Sequence, residues 1–248
     1  MRPLRPLFLL ALALVLDPLA GGAEDAKPAA SPTGYLSAQD IDGVALLGPP
    51  PAPASPQGRA DRAYFDRTRA LAGSARWKLA AQDADLRAVH RFSCAIGVDL
   101  SPATTPATSA MLRRIGVDVA TLGNPPKERY NRPRPIIGNS KPVCVKREDW
   151  MRTNASYPSG HALAGWAWAL ILAEIAPAKA SALMVAGREI GQSRVVCGVH
   201  FPSDVAAGRD LGAAMVARLH AERAFLADLK AAKLELAKAP APRDCPAS

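Results

Sequence analysis

Three polar side chains stand at fixed spacing in the mostly apolar stretch Ser193-Arg194-Val195-Val196-Cys197-Gly198-Val199-His200-Phe201-Pro202-Ser203-Asp204. They are Arg194, His200 and Asp204. With a helix starting near His200, the four-residue step sets Asp204 about one turn along the same face. A carboxylate there accepts the Nδ1 proton of His200, fixes the tautomer and leaves Nε2 as a lone-pair nucleophile. Pro202 is tolerated because the first turn of a helix has no N–H partner to lose. The plainer alternative is a buried His–Asp pair that only caps a helix. Upstream, Pro158-Ser159-Gly160-His161 opens a long apolar run. Ser159 suits an N-cap, Gly160 lets a ligand approach the backbone, and the N–H groups at a helix start bind anions. Further back, Lys127-Glu128-Arg129-Tyr130-Asn131-Arg132-Pro133-Arg134-Pro135 carries four cations. A run of that kind is ordinarily a solvated loop, and only its company argues for a site.

The three segments together resemble the phosphatase signature of the PAP2 superfamily, K-x6-RP, then PSGH, then SR-x5-H-x3-D. The matching pieces are Lys127 to Arg134-Pro135, Pro158 to His161, and Ser193-Arg194 through His200 to Asp204. The likeness extends to the bacterial class A non-specific acid phosphatases through Ser156-Tyr157-Pro158-Ser159-Gly160-His161, Gly165-Trp166-Ala167-Trp168-Ala169-Leu170 and Gly191-Gln192-Ser193-Arg194, and runs from about Tyr35 to the C-terminal helix. Two positions depart from that signature: Ala155 stands where Gly is usual and Ala162 where Thr is usual. Val199 and Phe201 flank the nucleophile where related enzymes often carry aromatics, which points to a changed substrate rim.

Around these motifs the chain divides into four stretches. Residues 1–23 read as a signal peptide, with Arg2 and Arg5 ahead of the apolar run Leu7 to Leu16 and small residues Gly21-Gly22-Ala23 for cleavage. Without a nearby Cys, no lipid anchor is expected. Export places the protein in an oxidising compartment, most simply the periplasm. Residues 24–57 form a Pro- and Ala-rich arm, with Tyr35-Leu36 and Leu46-Leu47 as anchors. Residues 58–240 form the helical domain, and 241–248 a short tail. The formal charge of +9 on 248 residues could suit nucleic acid, but aromatics make up only 5% and the densest basic cluster already belongs to the phosphate motif. Phosphorylated small molecules are therefore the expected partners, with no specific nucleic-acid binding.

The apolar periodicity is helical throughout, so the expected class is all-α, a single-domain bundle of the PAP2 acid phosphatase type. Helices are expected from about Arg59 with a break at Gly73-Ser74, from about Asp83 to Ile96, from the Ser101–Thr105 turn to Asn124-Pro125-Pro126, from His161 to Ile175, from Ser181 to Gln192, and from Asp204 onward. The His161–Ile175 run is apolar almost all round, which marks a central core helix or a membrane span. Its length and the lack of a second candidate favour the core. His90 and His220 stand without polar constellations and read as structural. The cysteines are Cys94, Cys144, Cys197 and Cys245; an even number in an exported chain favours two disulfides, with three pairings open. Because Cys144 and Cys197 lie beside phosphate-binding segments, that pairing is favoured, leaving Cys94–Cys245.

The resemblance implies roles. Lys127, Arg134 and Arg194, with Ser159 Oγ and the Gly160 N–H, would hold the phosphoryl oxygens. His200 would attack phosphorus, Asp204 would steady the ring, and His161 would protonate the leaving group and later activate water. Neighbouring cations should depress the His161 pKa and a bound dianion should raise it. No metal or other cofactor is expected, since the positive charge is built in. Relatives of this kind form oligomers, which is compatible with a homodimer. Two rivals remain: a vanadate-dependent haloperoxidase-like enzyme, opposed by short length, export and the class A features, and a non-catalytic phospholigand-binding protein.

Overall fold

A computed structural model describes residues 33–86, 90–243 and 245. The expected signal peptide lies outside these residues, as does the start of the arm. The described residues form ten α-helices and no strand: α1 (Gly43–Leu47), α2 (Pro56–Thr68), α3 (Ala75–Gln82), α4 (His90–Ile96), α5 (Pro106–Tyr130), α6 (Trp150–Thr153), α7 (Gly160–Ile175), α8 (Ala180–Cys197), α9 (Pro202–Leu219) and α10 (Arg223–Leu236).

The organising element is α7. Its Leu163, Ala167, Ile171 and Leu172 are fully buried, and it packs chiefly against α8 and α9. An all-apolar helix has no solvent face to offer, so it sits at the centre and the amphipathic helices surround it. No helix among the described residues is long and apolar enough to cross a membrane. Close packing matters at the site end of α7. A Cβ on Gly208 of α9 would come within 2.4 Å of the Ser159 carbonyl, so only glycine lets α9 approach the turn that starts α7. Burying side chains such as Met111, Ile115, Leu211, Met215 and Phe225 stabilises the bundle by roughly 1.5–3 kcal/mol each.

Several helix boundaries differ from the sequence expectation. The helix expected to stop at Asn124-Pro125-Pro126 continues to Tyr130, with both prolines inside it. Proline removes a backbone donor, and Pro126 is buried against the arm, so packing overrides local preference. Asn131, with φ 42°, then ends α5 in the left-handed region, its N–H bonded to the Lys127 carbonyl. Helix α8 likewise runs past Gln192 to Cys197, so Arg194 sits in its last turn. No helix starts at Asp83. That residue ends α3, where its carboxylate accepts from Arg91 at 2.8 and 3.0 Å and from Ser193 Oγ at 2.5 Å, and α4 begins at His90.

The N-terminal segment lies on the bundle. Asp118 of α5 accepts from the N–H groups of Tyr35 at 2.8 Å and Leu36 at 2.9 Å, while Tyr35 Oη donates to Asp228 at 2.6 Å. Leu36 is buried and Leu47 packs on the core, but Leu46 is 51% exposed and is no anchor. Disulfides join Cys144 to Cys197 and Cys94 to Cys245. His90 is exposed with Nε2 3.6 Å from Cys94 Sγ, and His220 pairs with Glu174 at 2.9 Å.

Candidate active site

The three segments come together at one end of the bundle. Backbone bonds tie them: Ser159 N–H donates to the Asp204 carbonyl at 2.9 Å, and Ser156 N–H to the Arg132 carbonyl at 2.8 Å. His200 is not on α9 but two residues before its first residue. Phe201 is the N-cap, Pro202 opens the helix, and Asp204 occupies the third position. From there Asp204 Oδ2 accepts from Phe201 N–H at 2.7 Å and lies 3.5 Å from His200 Nδ1. Asp204 therefore caps a helix and faces the histidine as well, so the plainer alternative describes part of its role.

The atoms around His200 define its tautomer. Arg134 Nη1 donates to Nε2 at 3.1 Å, so Nε2 carries the lone pair and Nδ1 the proton. Burial, with the charges of Arg134 and Lys127, pushes its pKa well below the usual imidazole value despite Asp204 opposite. Asp204 is fully buried. Burial alone would raise its pKa, but the contact with His200, the Arg132 guanidinium and the Ser156 hydroxyl together hold it below the ordinary carboxylate range.

Three cations face the same space. Arg134 is 5% exposed and braced by Asn154, its Nε on the carbonyl at 2.9 Å and Nη2 on Oδ1 at 2.8 Å. Lys127 Nζ donates to the Ala155 carbonyl at 2.6 Å, and burial followed by Arg134 pushes its pKa down to about 7. Arg194 is 4% exposed, and its buried Nε and Nη1 have no acceptor among the described residues. Buried donors ordinarily have partners, so two guanidinium nitrogens without one, beside two further cations, make a place suited to an anion. Ser159 is fully buried, with Oγ 3.4 Å from the Ala162 N–H, and a Cβ on Gly160 would meet nothing within 4 Å. His161 Nε2 donates to the Ala84 carbonyl at 3.0 Å. Burial, then Arg194, Arg134 and Lys127, push its pKa down to about 3. Both histidines thus feel the positive charge of Arg134 and Lys127.

The sequence reading missed the residues that hold this set in place. Arg132 was one cation among four; in the structure its Nη1 donates to Asp204 Oδ1 at 2.6 Å and its Nη2 to Asp61 Oδ2 at 2.9 Å. Arg69, buried and in no salt bridge among the described residues, caps the C-terminal end of α8. Its guanidinium donates to the carbonyls of Val195 at 3.2 Å, Val196 and Pro142 at 2.6 Å. Gly198 follows with φ 84°, and a Cβ there would strike that guanidinium at 2.5 Å. No spacing rule joins Asp61 or Arg69 to partners more than 70 residues away. Ser193, which precedes Arg194 in the motif, accepts from Arg76 Nη1 at 3.0 Å and anchors α8 to Asp83. Val199 and Phe201 are buried, Phe201 under Arg132 and Arg62, so they do not form a substrate rim. A groove of about 640 Å³ between α3, α4 and α8 holds none of the phosphate-motif residues.

Residues 104–224, which include every phosphate-motif residue, match the PAP2 superfamily. An acid phosphatase of Zymomonas mobilis subsp. mobilis is 36% identical over 94% of this chain and 91% of its own length. The chain belongs to the PAP2 superfamily. Other PAP2 relatives are a non-specific acid phosphatase of Providencia stuartii, 40% identical over 82% of this chain and 85% of its own, and one of Salmonella typhimurium, 38% identical over 86% of each. Among solved structures, a transmembrane PAP2 type phosphatidylglycerolphosphate phosphatase from Bacillus subtilis overlaps with a TM-score of 0.49 at 20% identity, over 70% of this chain and 88% of that one. One departure from the class A signature has a packing consequence here. Ala162 is fully buried, and its Cβ lies 3.2 Å from a Cβ built on Gly191 and 3.0 Å from one on Gly208, so it occupies the seam between α8 and α9.

Proposed function

We propose that the chain is an acid phosphatase that hydrolyses phosphate monoesters of broad structure through a phosphohistidine on His200. The observation that carries this is the pair of buried Arg194 donors without a protein acceptor, set among Arg134, Lys127 and two histidines. A phosphoryl group supplies the missing acceptors. Its oxygens also draw Arg134 Nη1 from His200 Nε2, which frees the lone pair. That lone pair attacks phosphorus as the P–O ester bond breaks, and the leaving oxygen takes its electron pair and a proton from His161. Water then attacks phosphorus, the P–N bond breaks, and the water's proton returns to His161. Asp204, held by Arg132, stabilises the charged ring formed in the first step. The bound dianion raises the His161 pKa from about 3, so its acid role belongs to the complex. The N-terminal segment supports export to the periplasm, and sequencing the mature N-terminus tests cleavage after Ala23.

His200→Ala is expected to abolish phosphate release. His161→Ala is expected to retain activity only on esters with good leaving groups, such as nitrophenyl phosphate. Acid-free quenching of turnover followed by mass spectrometry should find phosphate on His200; equal losses on good and poor leaving groups would remove His161 from the acid role.

A further inference from the structure

Lys127 and Ser159 come from different segments, and the chain between them gives no reason for their spacing to be fixed. The last turn of α5, which carries Lys127, is weak on its own account. Pro125 and Pro126 donate no backbone hydrogen bonds, so the carbonyls one turn earlier lose helical partners. A Lys side chain is also a flexible stem whose charge goes where its backbone and surroundings send it.

The N-terminal arm meets this weak turn directly. Gly43 of α1 lies against it: a Cβ there would be 3.2 Å from the Leu122 carbonyl oxygen and 3.5 Å from the Pro126 ring. Tyr130, three residues after Lys127, donates from Oη to the Val44 carbonyl at 2.8 Å. Tyr157, two residues before Ser159, donates from Oη to the Leu47 carbonyl at 3.2 Å. The two rings meet edge to face, with centroids 5.9 Å apart at 75°. Lys127 Nζ in turn crosses to the Ala155 carbonyl. Beside the Ser156–Arg132 and Arg134–Asn154 bonds, the segments that carry Lys127 and Ser159 are therefore joined at this end by that lysine and by two phenols on one short helix. The arm is in turn fixed to α5 by the two bonds to Asp118.

We propose that Tyr130 and Tyr157 are positioning residues of the phosphate site, held by the arm carbonyls of Val44 and Leu47, so that the arm sets the spacing between Lys127 and Ser159. This rests on the phosphate-site reading given above. Without the phenol bonds, the end of α5 and the turn before α7 shift about their remaining ties, Lys127 gains water, and its ammonium is held less closely against the anion.

Tyr130→Phe, Tyr157→Phe and the double variant keep both rings and remove only the hydroxyls. Binding of inorganic phosphate, followed by calorimetry from pH 5 to 9, is compared with wild type alongside the melting temperature. Each single variant is expected to weaken phosphate binding by about three- to tenfold. In both, and most in the double variant, the pH at which binding weakens should move upward as Lys127 becomes better solvated. The ion's own ionisation is common to all the proteins and cancels. Variants that melt earlier but bind phosphate with wild-type affinity and pH midpoint would overturn the proposal, leaving the phenols a purely structural role. Because binding is read directly, a wild-type protein that binds phosphate but releases none from esters would fail the phosphatase reading while these measurements still judged the arm.

Discussion

Lys127 is the cation of the site whose charge changes within the working pH range. Burial and the neighbouring Arg134 lower its pKa to about 7, so in the free enzyme it is positive below that pH and neutral above it. The ratio kcat/KM reports ionisations of free enzyme and free substrate. It should therefore fall as pH rises through about 7, because one of three cations facing the phosphoryl oxygens is lost. The substrate's second ionisation, near pH ~6, adds a limb of its own. Lys127→Arg separates the two. A guanidinium stays charged, so the enzyme-borne limb moves to higher pH while the substrate-borne limb stays. A kcat/KM profile identical in the two proteins would assign the whole alkaline decline to substrate. That Lys127, Arg134, Arg194 and both histidines meet in one place was legible through the family resemblance of their three segments, because each motif lies within a short run. Arg132 could not, because its partners Asp61 and Asp204 lie far from it in the chain, and four cations in one run look alike until the fold separates them.

At the scale of elements, α7 was legible because an apolar run has one destination in a helical bundle. The start of α9 carried a readable signal too: proline at the first position with an acidic residue two further on marks a helix that begins at Pro202, not at His200. The course of α5 was hidden. Asn-Pro-Pro reads as a stop, and the packing that compensates comes from α1, distant in sequence. At the other end of α5 the capping residue is equally remote. Thr105 makes no side-chain cap; Glu235 of α10 instead accepts from the N–H groups of Ala107 and Thr108 at 2.8 Å each and from Thr108 Oγ1 at 2.7 Å. A carboxylate on free N–H groups at a helix start also opposes the positive end of the dipole. Glu235→Ala should cost about 1–2 kcal/mol and lower the melting temperature by roughly 2–8 °C for a chain of this size. Since Glu235 is remote from the phosphate-motif residues, kcat is expected to hold at its wild-type value. An unchanged melting temperature would show that water serves those donors equally well.

Across the whole molecule the site works against the stability of the fold. Arg134 and Arg194 are almost fully buried, neither forms a salt bridge with a carboxylate among the described residues, and burial depresses both pKa values to about 10. Arg134 keeps acceptors on Asn154 and His200, but desolvating the Arg194 donors without them is costly, and the cost is met by the surrounding packing, the Cys144–Cys197 disulfide and the Arg69 cap on α8. Replacing even a buried ion pair with apolar side chains of similar volume is often neutral or stabilising by about 1–4 kcal/mol, and a buried guanidinium without a carboxylate partner has less attraction to give up. Arg194→Met is therefore expected to melt at a higher temperature than wild type in phosphate-free buffer and to lose nearly all phosphatase activity. Adding inorganic phosphate should reverse the order. A ligand at 100 times its Kd stabilises the protein that binds it by about 2.7 kcal/mol, whereas the variant, lacking the two free donors, gains little. Melting curves of both proteins across a phosphate titration should cross. If Arg194→Met melts lower than wild type before any phosphate is added, the guanidinium donors are already satisfied in the free protein, and the trade between anion capture and fold stability at this position does not exist.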